Sequence, residues 1–154
     1  MKMKLIVLVT LLLTLSCERS KPFSDEDRKR IVNEVTQMLH DYQEAVADSG
    51  LTAEFAYLDS SSDFFWVPPG FSGPIDYDSV SKILKQNAPL FKSIESTYDT
   101  LRVVPLSKRI ATYTAQLQST MTDTSGKALQ YTLVETGVVI KRENGWKLVS
   151  GQTR

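Results

Sequence analysis

The feature that most constrains the fold of this chain is a predicted β-hairpin near its end. Strands 128–142 and 146–153 flank the turn Glu143-Asn144-Gly145. Asn-Gly favours a tight hairpin because both residues tolerate a positive φ. Strand side chains alternate between two faces, and one shared face holds Tyr131, Leu133, Glu135, Gly137, Val139, Trp146, Leu148, Ser150 and Gln152. We infer that this face lines a concave, covered surface.

Length and composition exclude several classes of function. The chain has 154 residues, which indicates one domain, and its formal net charge is zero. A neutral chain lacks the basic surface that nucleic-acid binding requires. Because there is one cysteine and one histidine, neither an internal disulfide nor a Cys/His metal site is expected, and no cofactor is predicted.

The beginning of the chain has the pattern of an export signal. Lys2 and Lys4 precede an apolar stretch over 5–15, which is too short to span a bilayer. The segment Thr14-Leu15-Ser16-Cys17 resembles the cleavage motif of bacterial lipoproteins, with Thr14 at the position that usually prefers Leu. This resemblance predicts a signal peptide (1–16), acylation of Cys17, a tether (17–23) and a domain (24–154). The alternative is an ordinary signal peptide with an incidental cysteine.

The resemblance to lipoproteins also implies an address. Acyl chains on Cys17 anchor a protein to a membrane without a spanning helix. We therefore expect a membrane-anchored lipoprotein of the bacterial cell envelope, on the periplasmic side or at the outer membrane.

The hydrophobic period divides the domain into a helical part and a strand part. A long helix begins after Ser24 with a capping box and ends at Gly50, and it has one apolar face. Elements predicted between this helix and the hairpin are a short helix 53–58 capped by Thr52, a strand 64–67, a helix 75–87, and strands 94–104 and 109–121. Three helices followed by antiparallel strands predict an α+β domain with helices across one face of a curved sheet.

Three short motifs follow one another along the domain. They are Phe64-Phe65-Trp66-Val67-Pro68-Pro69-Gly70, Pro105-Leu106, and the closing strands that end in Asn144-Gly145-Trp146-Lys147-Leu148-Val149. In this order they resemble the nuclear transport factor 2-like superfamily in its SnoaL-like branch. The resemblance implies a cone-shaped, cystatin-like fold around an apolar pocket. It also implies that an Arg at the position of Gly137 and His at those of Ser150 and Gln152 would mark a basic pocket. This sequence has neither, which argues against a strongly anionic ligand and a His-dependent mechanism.

Glu135 is the candidate catalytic residue. A carboxyl among Tyr131, Leu133 and Trp146 would have a raised pKa suited to proton transfer. The alternative is an acid near a strand end that is paired with a cation or is solvated. The full set of residues predicted to line a ligand pocket is Tyr42, Tyr57, Trp66, Tyr113, Leu117, Tyr131, Leu133, Glu135, Trp146, Ser150 and Gln152.

Three other polar residues have simpler explanations. Asp59 and Asp63 flank a serine-rich loop, where Asp and Ser favour turns through hydrogen bonds to their own backbone. His40 lies off the apolar stripe of the first helix, so it is expected to face solvent.

Three hypotheses for function stay open. The first is binding of a small apolar or amphipathic molecule in the pocket. The second is an accessory or assembly module, in which Trp66, Tyr113, Leu117 and Trp146 fill the cone and the outer sheet face holds a partner. The third is a cofactor-free isomerase-like or dehydratase-like enzyme, with Glu135 as acid or base and Tyr131 or Tyr113 as donor. The mild outer face, with Thr, Gln and Val, also suggests a homodimer.

Overall fold

The structure, a computed structural model, describes residues 23–154. The predicted signal peptide, Cys17 and the tether up to residue 22 lie outside the described residues. Phe23, the last residue of that tether, packs against the core, and the Arg28 guanidinium lies 4.4 Å from the centre of its ring. Within residues 23–154, no helix has both the length and the apolar character needed to cross a membrane.

The first helix, α1 (Asp25–Ser49), has the predicted ends. The Ser24 hydroxyl accepts a hydrogen bond from the Asp27 backbone N–H at 3.1 Å, and the Asp27 carboxylate accepts one from the Ser24 N–H. This capping box satisfies donors that the first turn leaves free. Gly50, at φ 77°, ends the helix in a conformation that L side chains rarely adopt. The buried stripe of α1, with Ile31, Val35 and Leu39 at its centre, is confirmed.

The next elements differ slightly from their predicted form. The short helix is a 3-10 helix, Leu51–Ala56, and it starts directly after Gly50, so Thr52 does not cap it. Strand β1 is Phe65–Val67, and helix α2 is Tyr77–Asn87 with Asp76 as its cap. A 3-10 turn, Ala88–Leu90, then leads into the sheet. Helix ends fray and often tighten into 3-10 turns, so local signals fix a boundary only to within a residue or two.

The remaining strands are β2 (Phe91–Pro105), β3 (Ile110–Asp123), β4 (Ala128–Arg142) and β5 (Gly145–Thr153). The five strands lie in the order β1-β5-β4-β3-β2. Strands β2 to β5 pair antiparallel, whereas β1 runs parallel to β5. The α+β class is therefore confirmed, and the fully antiparallel sheet is corrected to a mixed one. A parallel pair needs a long connection, and helix α2 with three strands supplies it here.

The final hairpin forms with a different turn. Arg142 pairs with Gly145, so Glu143 and Asn144 make the turn and Gly145 already belongs to β5. Among the described residues only glycines have a positive φ, and Gly145 has φ 109° while Asn144 does not share it. One flexible residue after the turn is enough to close the strands with the required twist.

A bulge in β5 changes which side chains face inward. Val139 pairs with Leu148, but Val138 pairs with Ser150, so Val149 is an extra residue in the ladder. Beyond a bulge the alternation of side chains is reversed. The predicted inward placement of Ser150 and Gln152 is therefore wrong. Gln152 is exposed, and Thr153 faces the interior instead.

Candidate functional site

A cavity of about 210 Å³ lies between the inner sheet face and the helical layer. Its wall comes from α1, the 3-10 helix, α2, β1 and the four long strands. The apolar lining is Val46, Leu51, Leu58, Phe64, Trp66, Pro68, Pro69, Val80, Ile83, Leu84, Ile94, Leu117, Met121, Leu133 and Leu148. The polar lining is Tyr42, Gln43, Glu54, Ser96, Ser119, Glu135 and Thr153. The cavity is thus an apolar space with a few polar groups, as expected of a site for a small molecule.

Glu135 is the most buried carboxyl of this cavity, with 6% of its surface exposed. The Tyr113 hydroxyl donates to its Oε1 at 2.5 Å, and the Thr153 hydroxyl donates to its Oε2 at 3.2 Å. Burial raises the pKa of Glu135, and the two hydrogen bonds lower it by less than burial raises it. Glu135 therefore holds a proton more readily than an exposed glutamate does.

Tyr113 reaches Glu135 because a glycine lies beneath its ring. Tyr113 pairs with Gly137 across β3 and β4, and a Cβ added at Gly137 would lie 2.8 Å from the tyrosine ring. Any larger residue there would displace the phenol from the carboxyl. Burial, followed by the charge of Glu135, raises the pKa of Tyr113 well above its ordinary value, so its hydroxyl stays a donor.

A second glycine supports Trp66 in the same way. Trp66 pairs with Gly151, where an added Cβ would lie 2.6 Å from the indole ring. The indole Nε1 donates to the Thr153 hydroxyl at 3.1 Å, and that hydroxyl donates to Glu135. The Glu135 carboxyl is thus held from both sides, by Tyr113 and by this two-step chain from Trp66. Its orientation is fixed before any ligand enters.

Glu54 is a second carboxyl in the cavity, and it is not among the site residues predicted from the sequence. Burial raises its pKa to about 7, a hydrogen bond with Tyr42 opposes the rise, and the charge of Glu135 adds to it. Burial, and then the charges of Glu54 and Glu135, raise the pKa of Tyr42 well above its ordinary value. Glu54 is therefore close to half protonated at neutral pH.

The structure brings together about half of the predicted pocket residues. Tyr42, Trp66, Leu117, Leu133 and Glu135 line the cavity. Whether they bind a ligand stays a prediction.

Other predicted members are buried nearby without lining the cavity. Tyr113 lies behind Glu135, and Trp146 packs in the core with its Nε1 donating to Glu34 at 2.9 Å. The hydroxyl of Tyr57 donates to the backbone carbonyl of Asp41 at 3.0 Å, so it points away from the cavity.

Tyr131 is exposed and does not line the cavity, which corrects its predicted placement. It shares the face of Leu133 and Glu135, as its position in the strand requires. However, β5 ends at Thr153, which pairs with Glu135. The residues of β4 before Glu135 therefore extend beyond the end of β5, and the Tyr131 side chain is exposed there. The donor to Glu135 is Tyr113 and not Tyr131.

Asp59, His40 and Asp63 do not belong to the site. Asp59 is buried and binds Arg142 through two hydrogen bonds, at 2.6 Å and 3.2 Å. Desolvation opposes ionisation of Asp59, but the hydrogen bonds from Arg142 and Ser61 together lower its pKa. His40 is exposed, as predicted, and its ring meets the edge of Tyr98.

A signal for Glu54 was present in the sequence. Leu51, Glu54 and Leu58 follow one another at helical spacing, and all three line the cavity. An acid inside an apolar helical stripe is unusual, because an unpaired buried charge is costly. Among residues 23–154, no group of three or more His, Cys, Asp or Glu side chains could hold a metal ion.

Known protein families and solved structures resemble this chain in sequence pattern and in fold. Residues 35–153 match the model of the SnoaL-like domain. No curated protein sequence matches the chain significantly. Solved structures with a similar fold include a nuclear transport factor 2-like superfamily protein from Salmonella enterica serovar Typhimurium LT2, at 15% identity and a TM-score of 0.67. The match covers 79% of this chain and 88% of that one.

Two further similar structures have names that describe eliminations. A hexachlorocyclohexane dehydrochlorinase (LinA) of type 2 has 16% identity and a TM-score of 0.68, covering 85% of this chain and 88% of its own. A candidate scytalone dehydratase from Novosphingobium aromaticivorans DSM 12444 has 14% identity and a TM-score of 0.67, covering 79% and 81%. At such identities the likeness shows the fold alone. By the family match over residues 35–153, this chain belongs to the SnoaL-like domain family.

Proposed function

We propose that this domain binds a small, largely apolar molecule that carries one polar group. The supporting observation is the cavity itself, about 210 Å³ in volume, apolar over most of its wall and reached by the carboxyls of Glu54 and Glu135. An apolar cavity of roughly 150 Å³ accommodates benzene in a protein core. The space here therefore suits a substituted benzene ring or a molecule of similar size. An assembly module with a filled cone would not need this empty volume.

Benzyl alcohol is a suitable first probe because it combines a ring with one hydroxyl group. We expect saturable shifts of the methyl resonances of Leu117, Leu133 and Leu148 in NMR spectra, since all three side chains line the cavity. The methyl groups of Leu106, which is 59% exposed, serve as an internal reference.

Two variants on neighbouring positions separate cavity binding from surface binding. Leu133→Phe adds volume on the inner face, whereas Val134→Phe adds the same ring type on the exposed outer face. Binding should be lost in the first and kept in the second. Unsaturable shifts in the parent protein, or equal binding by both variants, would contradict the proposal.

A second candidate is a cofactor-free enzyme in which Glu135 transfers a proton. The observation in its favour is the buried carboxyl with a raised pKa, oriented by the Tyr113 hydroxyl at 2.5 Å. An ionised Glu135 would take a proton from carbon while a leaving group departs from the neighbouring carbon and a double bond forms. The names of the two similar structures above describe reactions of this kind, loss of hydrogen chloride or of water.

Chloride release from hexachlorocyclohexane is a direct assay for this second candidate. Turnover by the parent protein should fall about 100-fold in Glu135→Gln, because the amide cannot accept the proton. Glu44→Gln changes an exposed carboxylate on α1 and is the matched control. Undetectable turnover by the parent protein, or equal rates in both variants, would count against Glu135 as the base.

We also propose that acylated Cys17 anchors the domain in the bacterial cell envelope. The support is the sequence pattern around Cys17 described above. Mass spectrometry of the mature chain from bacterial membranes should show an acylated N-terminal cysteine. Cys17→Ser should release the protein from the membrane fraction, and retention of this variant would argue for another means of attachment.

The outer sheet face supports a proposed homodimer. Val104, Ile110 and Val134 are exposed there, between neutral Thr and Gln side chains. Light scattering at micromolar concentration should give twice the monomer mass, and Val134→Glu should shift it toward the monomer. A monomeric mass for the parent protein would reject this arrangement.

A further inference from the structure

Among the described residues, no cationic side chain lines the cavity that holds Glu54 and Glu135. Within residues 23–154, Glu54 and Glu135 are the only charged side chains that line the cavity, and no Lys, Arg or His is in its wall. The other titratable group of the wall is the phenol of Tyr42 on α1. Two more phenols lie nearby. The Tyr98 hydroxyl on β2 accepts a hydrogen bond from the Gln43 side chain at 3.2 Å, and the Tyr113 hydroxyl on β3 donates one to Glu135. The part of the chain that the structure describes therefore gives this cavity two carboxyls and no cationic side chain.

Two other carboxylates with limited exposure each have a cationic side chain beside them. Asp59 has Arg142 at 2.6 Å, and Glu34 has Lys141 at 2.6 Å. The fold thus places a cation on carboxylates that have a structural role, as burial of a charge requires. Glu54 and Glu135 have phenol or hydroxyl partners only. The cavity beside Glu54 and Glu135 therefore has space for a cation that the described residues do not supply.

The shape of that place fits an organic cation better than a metal ion. A divalent metal such as Ca²⁺ needs six or more oxygen ligands, and most of this wall is hydrocarbon. Tyr42, Phe64 and Trp66 contribute aromatic surface to the same wall. Aromatic faces attract ammonium groups, and carboxylates accept their hydrogen bonds.

We propose that the natural ligand is an amine, with an ammonium group held by Glu54 and Glu135 and an apolar body held by the rest of the cavity. This inference rests on the proposed binding function and specifies the class of ligand. A bound ammonium ion stabilises the ionised form of both carboxyls. Because the pKa of Glu54 is about 7, binding at neutral pH releases protons from Glu54.

Three probes of nearly equal size test the proposal: benzylammonium, benzyl alcohol and benzoate. Calorimetric titration of the parent protein should give the tightest binding for benzylammonium, about tenfold or more tighter than the alcohol, with benzoate the weakest. Titrations in two buffers of different ionisation enthalpy should show net proton release for benzylammonium and none for benzyl alcohol.

Variants assign the preference to the two carboxyls. Glu54→Gln and Glu135→Gln should each reduce the ratio of benzylammonium to benzyl alcohol affinity, whereas Glu44→Gln should leave this ratio unchanged. If either cavity variant fails to fold, proton release by the parent protein still decides the question.

The outcomes distinguish the amine inference from the proposed binding function. Benzyl alcohol binding as tightly as benzylammonium, or benzoate binding tightest, would overturn the amine inference and leave the binding function intact. Failure of all three probes to bind would overturn both. Tight benzylammonium binding without proton release would also reject the placement of the ammonium beside Glu54 and Glu135.

Discussion

Replacing Glu54 by Gln should make the protein more stable at neutral pH. Burial raises the pKa of Glu54 from 4.5 to about 7. Each pKa unit corresponds to about 1.4 kcal/mol, so ionising Glu54 costs the folded state about 3 kcal/mol relative to the unfolded chain. A raised carboxyl pKa means that the folded state binds more protons than the unfolded state. The contribution of Glu54 to stability is therefore greatest below about pH 4.5, and it is lost as the pH rises to about 7.

Urea unfolding at a series of pH values measures this effect. Glu54→Gln removes the ionisation but keeps the size of the side chain. Between about pH 4.5 and about pH 8, the free energy of unfolding should therefore fall less in this variant than in the parent protein, by up to about 3 kcal/mol. The amide keeps hydrogen-bonding capacity toward Tyr42, which limits other losses. Glu44→Gln, on the exposed face of α1, should follow the parent protein. Parallel pH curves for the parent and Glu54→Gln would refute the burial of this carboxyl.

Two further substitutions test the support of the site. Gly151→Ala should destabilise the fold by about 1–3 kcal/mol, because the added Cβ would meet both the backbone and the Trp66 ring. The control is Gly73→Ala, whose added Cβ has open space around it. Equal urea midpoints for the two variants would contradict this packing. Arg142→Gln should lower stability above about pH 4, where Asp59 is ionised, and the difference should shrink as the pH falls through the lowered pKa of Asp59. A pH-independent difference in circular-dichroism melting would show that Asp59 and Arg142 are not coupled.

Local sequence signals predicted the elements that depend on local interactions. The capping box at Ser24 fixed the start of α1, and the alternation through Leu133 and Glu135 placed both side chains on the inner face. These features require only neighbours within a few residues of the chain. For this reason the fold class and the burial of Glu135 could be predicted without knowledge of tertiary contacts.

The errors arose where an effect was not local. A strict period of two cannot reveal the extra residue Val149, and this one bulge moved Ser150 and Gln152 to the outer face. Tyr131 has the right parity but lies beyond the end of β5, which depends on strand lengths. Glu54 was missed because its burial depends on how the 3-10 helix packs over the cavity, which the local pattern of residues 53–58 does not reveal.

The most direct test of the central claim is a crystal structure of residues 23–154 under xenon pressure. Xenon occupies dry apolar cavities in proteins. We predict a xenon peak enclosed by Leu117, Leu133 and Leu148, in the cavity that Glu135 also lines. A cone without xenon, in which the side chains of Trp66 or Leu133 fill this space, would contradict the existence of a ligand site.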